Sequence, residues 1–239
     1  MHKIKIHFQS FLFTLQFKVN FMEDKQKHLD QLQDIKAMME RSSRFISLSG
    51  LSGIFAGIFA LMGALAVYYR YFGSFSWEAY SNRFPMAITV NFIFFLIITA
   101  LIVLFLSIAS SIYFTTKKAR KQGLPLWDDI AFKTIVNLIV PLSVGGVFCV
   151  ILLYHSINDY SVAYKMFGLV APTTLIFYGL ALYNAGKYTL DEIRYLGISE
   201  IILGLIGCLF IGYGLLVWAL GFGVLHIVYG FMMWWKYEK

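Results

Sequence analysis

The chain has 239 residues, 59% of them apolar and 14% charged, with a mean hydropathy of +0.70 and a formal net charge of +7. Soluble domains carry about 25% charged residues, and a soluble chain this apolar would expose patches that drive aggregation, so that class is excluded. The basic residues sit at the ends of apolar runs, with no zinc-finger spacing and no basic, aromatic-interleaved pattern, which excludes the common modes of nucleic-acid binding.

Residues 1–21 carry three Lys and no acid. Their apolar run is short, broken by Gln16 and Lys18, and lacks a small-residue cleavage site, so it reads neither as a span nor as a signal peptide. Met22 then opens a conventional charged helix. The sequence therefore predicts that translation starts at Met22 and that residues 1–21 are an extension foreign to the rest.

From Asp24 to Arg44 the period is helical. Leu29, Leu32, Ile35 and Met39 recur at three- and four-residue intervals opposite Asp30, Asp34 and Lys36, and Glu40 and Arg44 form an i,i+4 pair. This predicts a cytoplasmic amphipathic helix over 22–44. Residues 24–44 suit the membrane surface or a cytoplasmic protein partner.

Six apolar runs follow, near 45–69, 85–115, 130–154, 162–184, 193–215 and 218–235. Each approaches or exceeds the roughly 20 residues that cross a hydrocarbon core, the last being short. Pro85 suits a helix start, and Gly123 with Pro125 stops the second span ahead of a cap at Asp128 or Asp129. Pro172 predicts a kink in span four, with Thr173 and Thr174 to satisfy freed carbonyls. Thr189-Leu190-Asp191-Glu192 matches a capping box before span five. The only break between spans five and six lies around Val217–Phe222, where a tight hairpin is expected. Aromatics at Tyr71, Phe72, Phe75, Trp77 and Tyr80 read as an interfacial belt, and Trp234 and Trp235 anchor the other face.

Charge sets the orientation. Lys and Arg crowd the segment before span one, the second–third loop (Lys117, Lys118, Arg120, Lys121), the fourth–fifth loop (Lys187, Arg194) and the C-terminus (Lys236, Lys239). The opposite loops hold Arg70 and Arg83 alone. Both termini are therefore expected in the cytoplasm.

Small-residue spacing marks helix packing: Gly53 and Gly57, Ala56, Ala60 and Ala64, and Ala219 and Gly223 let backbones approach, within one chain or in a homo-oligomer. Gly50 to Gly57 also echoes Gly197 to Gly204 at one fixed offset. Packing alone produces such an echo as readily as duplication does.

Between Arg194 and Lys236 lie forty-one residues with Glu200 as the single formal charge and His226 as the single histidine. An ionisable group inside a span costs about 2.5–3.5 kcal/mol on insertion scales and needs a partner or a purpose. At about 1.5 Å per residue both residues fall roughly 10–13 Å deep on neighbouring antiparallel helices. Asn137 lies at similar depth on span three, with Lys133 one turn shallower on the same face. Glu200, His226, Asn137 and Lys133 are thus the candidates for a ligand or proton-relay cluster, the competing reading being interhelical hydrogen-bond glue.

Other chemistry finds little purchase. Gly50-Leu51-Ser52-Gly53 has a G-x-S-G form that, with His226, suggests an intramembrane serine protease, a remote alternative because the serine lies on span one and further signatures are missing. The five histidines show no paired metal-ligand spacing, no phosphate loop occurs, and Cys149 and Cys208 lie in apolar runs. No metal, no cofactor and no catalytic residue is expected.

The block Tyr188–Gly197, with Gly212-Tyr213-Gly214-Leu215 and Gly221-Phe222-Gly223-Val224-Leu225-His226, resembles a family of uncharacterised bacterial six-span membrane proteins. The Lys117–Asp129 loop and the Arg41–Gly57 segment are similar to it too, so that the resemblance covers Met22 to Lys239. It implies a multi-pass protein of the bacterial inner membrane with no assigned activity. The sequence as a whole predicts an all-α polytopic protein of six transmembrane helices whose partner is the lipid bilayer. Its expected role is structural or regulatory and leans away from an enzyme; the alternative is a small transporter or ligand-binding protein using Glu200 and His226.

Overall fold

The computed structural model describes residues 22, 27, 31, 32, 35, 49–72, 90–123, 129–159 and 162–239. The chain divides into two compact units, residues 1–44 and 45–239. In the first, Met22, Lys27, Gln31, Leu32 and Ile35 are helical and exposed. The rest of the expected amphipathic helix, the 1–21 extension, the aromatic stretch from Phe75 to Tyr80, and Pro85 lie outside the described residues.

The second unit is helical, with no strand among the described residues. Its elements are α1 (Gly50–Phe72), α2 (Val90–Gln122), α3 (Asp129–Asn158), α4 (Ala163–Gly168), α5 (Val170–Ala185), α6 (Asp191–Leu209), α7 (Gly214–Trp218), a π-helical turn (Ala219–Leu225) and α8 (His226–Tyr237). Among the described residues, five stretches are long and apolar enough to cross a membrane: Gly50–Arg70, Val90–Lys121, Asp129–Asn158, Ala163–Ala185 and Gly214–Tyr237. The chain is accordingly a multi-pass membrane protein in kind. The 19-residue α6, where a fifth span was expected, carries Asp191, Glu192, Arg194 and Glu200 and so falls outside this apolar class.

Local chemistry explains the boundaries. Gly123, at φ 66°, takes the left-handed conformation that ends α2, and its N–H reaches the Arg120 carbonyl at 3.3 Å. Pro172 lacks the N–H that the Gly168 carbonyl would need. The chain answers by breaking at Leu169 and restarting at Val170, which leaves Pro172 in a first helical turn where no donor is required. Span four is therefore interrupted at Leu169, just before Pro172, while Ala163–Ala185 still runs as one 23-residue apolar stretch. Thr174 closes its own local bond, Oγ1 donating to the Ala171 carbonyl at 2.6 Å.

Two expected boundaries move. Thr189 does not cap α6: its hydroxyl donates back to the Ala185 carbonyl at 3.2 Å, finishing α5, and α6 starts after Leu190 without a side-chain cap. Glu192, the other half of the expected box, is turned toward Lys236 and Tyr237. The turn after α6 falls at Phe210–Tyr213, not at Val217–Phe222, because Gly212 supplies the φ of 109° that the reversal requires. Helix continues through Val217–Phe222 by widening into the π-helical turn.

Two glycine seams set the packing. Along α1, a Cβ on Gly53 would stand 3.1 Å from Gly230 Cα, and one on Gly57 would stand 2.5 Å from the Gly223 carbonyl oxygen, so α1 runs antiparallel to the π-turn and α8 at backbone contact. Ala60 and Ala64 are buried on this face, Ala56 and Ala219 half-buried, and Gly223 meets Leu61. Of the expected packing set, Gly53, Gly57 and Gly223 thus lie on this interface, together with Gly50 and Gly230. The second seam joins α5 to α6, where Gly179 and Gly197 face each other and Gly204 meets Pro172. α3 packs on α5, α2 on α1, and α6 meets the π-turn, so the two seamed pairs abut there.

One end of this bundle is stitched by polar contacts. Glu238 accepts from the Gly50 N–H at 2.6 Å, from the Ser49 hydroxyl at 3.2 Å and from Lys118 Nζ at 3.4 Å. Glu192 accepts from Lys236 and, at 2.8 Å, from the Tyr237 hydroxyl. Burial opposes the charge on Glu192, but these hydrogen bonds hold its carboxyl below its ordinary value of 4.5. A depressed folded value means that the stabilisation is complete above 4.5 and is lost as pH falls through the folded value. Thermal melts of the wild type and of Glu192→Gln are therefore expected to differ at neutral pH and to converge under acid conditions.

Candidate functional site

The site forms where α5, α6 and the π-turn meet. α6 delivers Glu200, which is fully buried (0% exposed), and α8 opens with His226 at 6%. Their closest approach is 3.4 Å, from His226 Nδ1 to Glu200 Oε1. Nδ1 lies closer still, at 3.1 Å, to the carbonyl of Gly221. A carbonyl only accepts, so Nδ1 carries the hydrogen and donates it there. The other ring nitrogen, Nε2, is 2.8 Å from the hydroxyl of Tyr178 on α5. With a neutral ring Tyr178 donates to Nε2; with an imidazolium the direction reverses.

Glu200 is the unbalanced member. Neither of its oxygens has a hydrogen-bond partner, and both are buried. Gly221 makes the room for it: a Cβ at that position would stand 2.6 Å from Oε2 and would also strike Leu175. The π-helical turn contributes as well, since widening the helix there presents the Gly221 carbonyl to the histidine, and such turns recur at functional sites. A carboxylate held in this apolar seat is costly unless a proton or another positive charge neutralises it.

Aromatic rings extend the site along one side. Tyr178 stacks on His226 at 5.4 Å between centroids, Phe222 lies 5.0 Å from Tyr178 and 6.0 Å from His226, and Trp218 lies 5.3 Å from Phe222. Such contacts fix the imidazole plane and with it the aim of both ring nitrogens.

The expected cluster of four residues is assembled in half. Glu200 and His226 meet. Asn137 does not join their hydrogen-bond set, because its side-chain amide donates to the Lys133 carbonyl of its own helix at 2.8 Å, and Lys133 is exposed on α3. Their places near the pair are taken by Tyr178 and Gly221. Tyr178 was discoverable in principle, since a tyrosine in mid-span must satisfy its hydroxyl. The Gly221 carbonyl carried no sequence signal, for its availability depends on the local widening of the helix. Ser52 and His226 are not hydrogen-bonded to each other: the Ser52 hydroxyl donates to the Ser49 carbonyl at 2.6 Å, and the ring nitrogens of His226 meet Tyr178 and Gly221. Among the described residues no group of three His, Cys, Asp or Glu side chains converges as a metal site.

Comparison with protein-family models, with curated proteins and with solved structures finds no match for this chain.

Proposed function

We propose that this chain is an integral membrane protein that takes up and releases a proton at the Glu200–His226 pair, in the manner of a small proton-coupled transporter or sensor. The observation that carries the reading is the Glu200 carboxylate, fully buried, 3.4 Å from His226, with both oxygens unpaired. A network that only fastened helices together would satisfy its acceptors, because an unsatisfied polar group in a low-dielectric interior is what makes such a network fail. Glu200, His226 and Tyr178 instead form a carboxyl–imidazole–hydroxyl series in which a proton has alternative seats.

The same reading places six crossings in a bacterial inner membrane with both termini in the cytoplasm, α6 being the fifth crossing despite its charges. Support comes from the contacts of Glu238 with Ser49 and Lys118, and of Lys236 with Glu192, which bring the start of α1, the basic end of α2, the start of α6 and the C-terminus to one end of the bundle. The bacterial setting rests on the family resemblance of the sequence. Residues 24–44 remain the segment suited to lipid headgroups or a cytoplasmic partner.

Infrared difference spectra of the full chain in liposomes, taken between acid and alkaline buffer, test the site. A protonated-carboxyl band that disappears in folded Glu200→Gln is the expected result. A difference spectrum identical in wild type and Glu200→Gln would remove the proton from this pair. An imposed pH gradient then separates a transporter, which dissipates it through Glu200, from a sensor, which does not.

A further inference from the structure

A second site lies apart from the Glu200 pair. A cavity of about 240 Å³ opens among α1, α2, α4, α5 and α7. Its walls include Ala64, Ile97, Ala100, Thr174, Tyr164 and Trp218.

The three hydroxyls on these walls already have partners. Thr174 Oγ1 donates to the Ala171 carbonyl at 2.6 Å, and Thr99 Oγ1 to the Phe95 carbonyl at 2.8 Å, so both hydroxyls are engaged within their own helices. The Tyr164 hydroxyl donates to the Ile211 carbonyl at 3.3 Å. A cavity with few polar partners to offer holds water poorly, whereas an apolar cavity of about 150 Å³ already admits a benzene ring. Glycines draw its walls together: a Cβ on Gly63 would stand 2.6 Å from Val103, and one on Gly168 would stand 2.6 Å from Ile211, so the elements around the cavity meet at close range.

The mouth decides what enters. Ile97 and Ala100 line the cavity and are also exposed, on the 33-residue helix whose open face continues through Leu101, Leu104 and Phe105. In a helix long and apolar enough to cross a membrane, that face meets hydrocarbon rather than water. We propose that this cavity is a binding site for a single lipid acyl chain, admitted from the bilayer past Ile97 and Ala100, with Trp218 as part of its floor. The proposal does not depend on the chemistry of Glu200.

The test uses the full chain in phosphatidylcholine vesicles bearing a photoreactive diazirine on the acyl chain, with adducts mapped by mass spectrometry. Adducts are expected to concentrate on the cavity walls, above those on Phe105 and Ile112 of the open face. Ala100→Phe places a ring in the mouth and should cut cavity adducts roughly tenfold, equivalent to about 1.4 kcal/mol, while open-face adducts persist. Should that variant fail to fold, Thr174→Leu fills the same space from α5 and carries the same expectation. Cavity walls left unlabelled, labelled no more than the open face, or labelled equally in the filled variant would each overturn the site.

Discussion

His226→Ala is expected to destabilise the bundle by about 3–5 kcal/mol, the cost of removing one partner from a buried ionisable pair. The substitution orphans two groups at once, the Tyr178 hydroxyl at 2.8 Å and the Gly221 carbonyl at 3.1 Å, and removes the ring that stands 3.4 Å from the Glu200 carboxyl. Glu200→Gln should behave differently. It replaces the ionisable carboxyl at nearly constant shape and leaves both histidine hydrogen bonds in place, so its stability should stay within about 1 kcal/mol of the wild type. Unfolding by denaturing detergent in mixed micelles, with abundance in the membrane as a second measure, checks both variants. Equal collapse of the two would mean that the carboxylate is needed to hold the helices, and the pair would then be a fastening. A stable Glu200→Gln that loses its infrared band is the signature of a proton site.

The second large effect concerns the α1–α8 seam. In Gly230→Ala the new Cβ would stand 2.5 Å from the Ile54 nitrogen and 2.6 Å from the Gly50 carbonyl oxygen. Both obstacles are backbone, so no side chain can give way and α1 itself must shift. Overpacking of this kind costs about 1–3 kcal/mol. Gly146→Ala supplies the contrast: nothing lies within 4 Å of its Cβ position, and replacing glycine in a helix interior favours the helix by up to about 1 kcal/mol. The same detergent titration should therefore move in opposite directions for the two glycine-to-alanine changes. Loss of stability in both would mean that helix packing is not what distinguishes them.

How much of this was legible beforehand follows the range of each interaction. The C-terminal end of α2 and the glycine faces of α1 and the last span are local signals, and Gly123, Gly53, Gly57 and Gly223 sit where their spacing implied. The turn before α7 was misplaced because Gly212, Gly221 and Gly223 look alike in a sequence, yet Gly212 bends the chain while the other two clear space for neighbours. Thr189 and Glu192 had the right order for a cap, but each found a competing partner, Ala185 within the previous helix and Lys236 on the C-terminal segment. The pairing of Glu200 with His226 was legible because two ionisable groups in one apolar stretch had few other places to go.

By itself the sequence determined the class of the protein, a helical membrane bundle, because transfer of apolar length into hydrocarbon is a property of composition and periodicity. It also singled out Glu200, since a charge in such a stretch is costly wherever the helices go. Only the tertiary structure decided what surrounds that charge. Tyr178 is distant in the chain, the Gly221 carbonyl becomes available through a π-helical turn, and Asn137 turns back on its own helix. Those choices depend on which backbones can touch, and the glycine seams settle that by bringing α6 against the π-turn that carries the histidine.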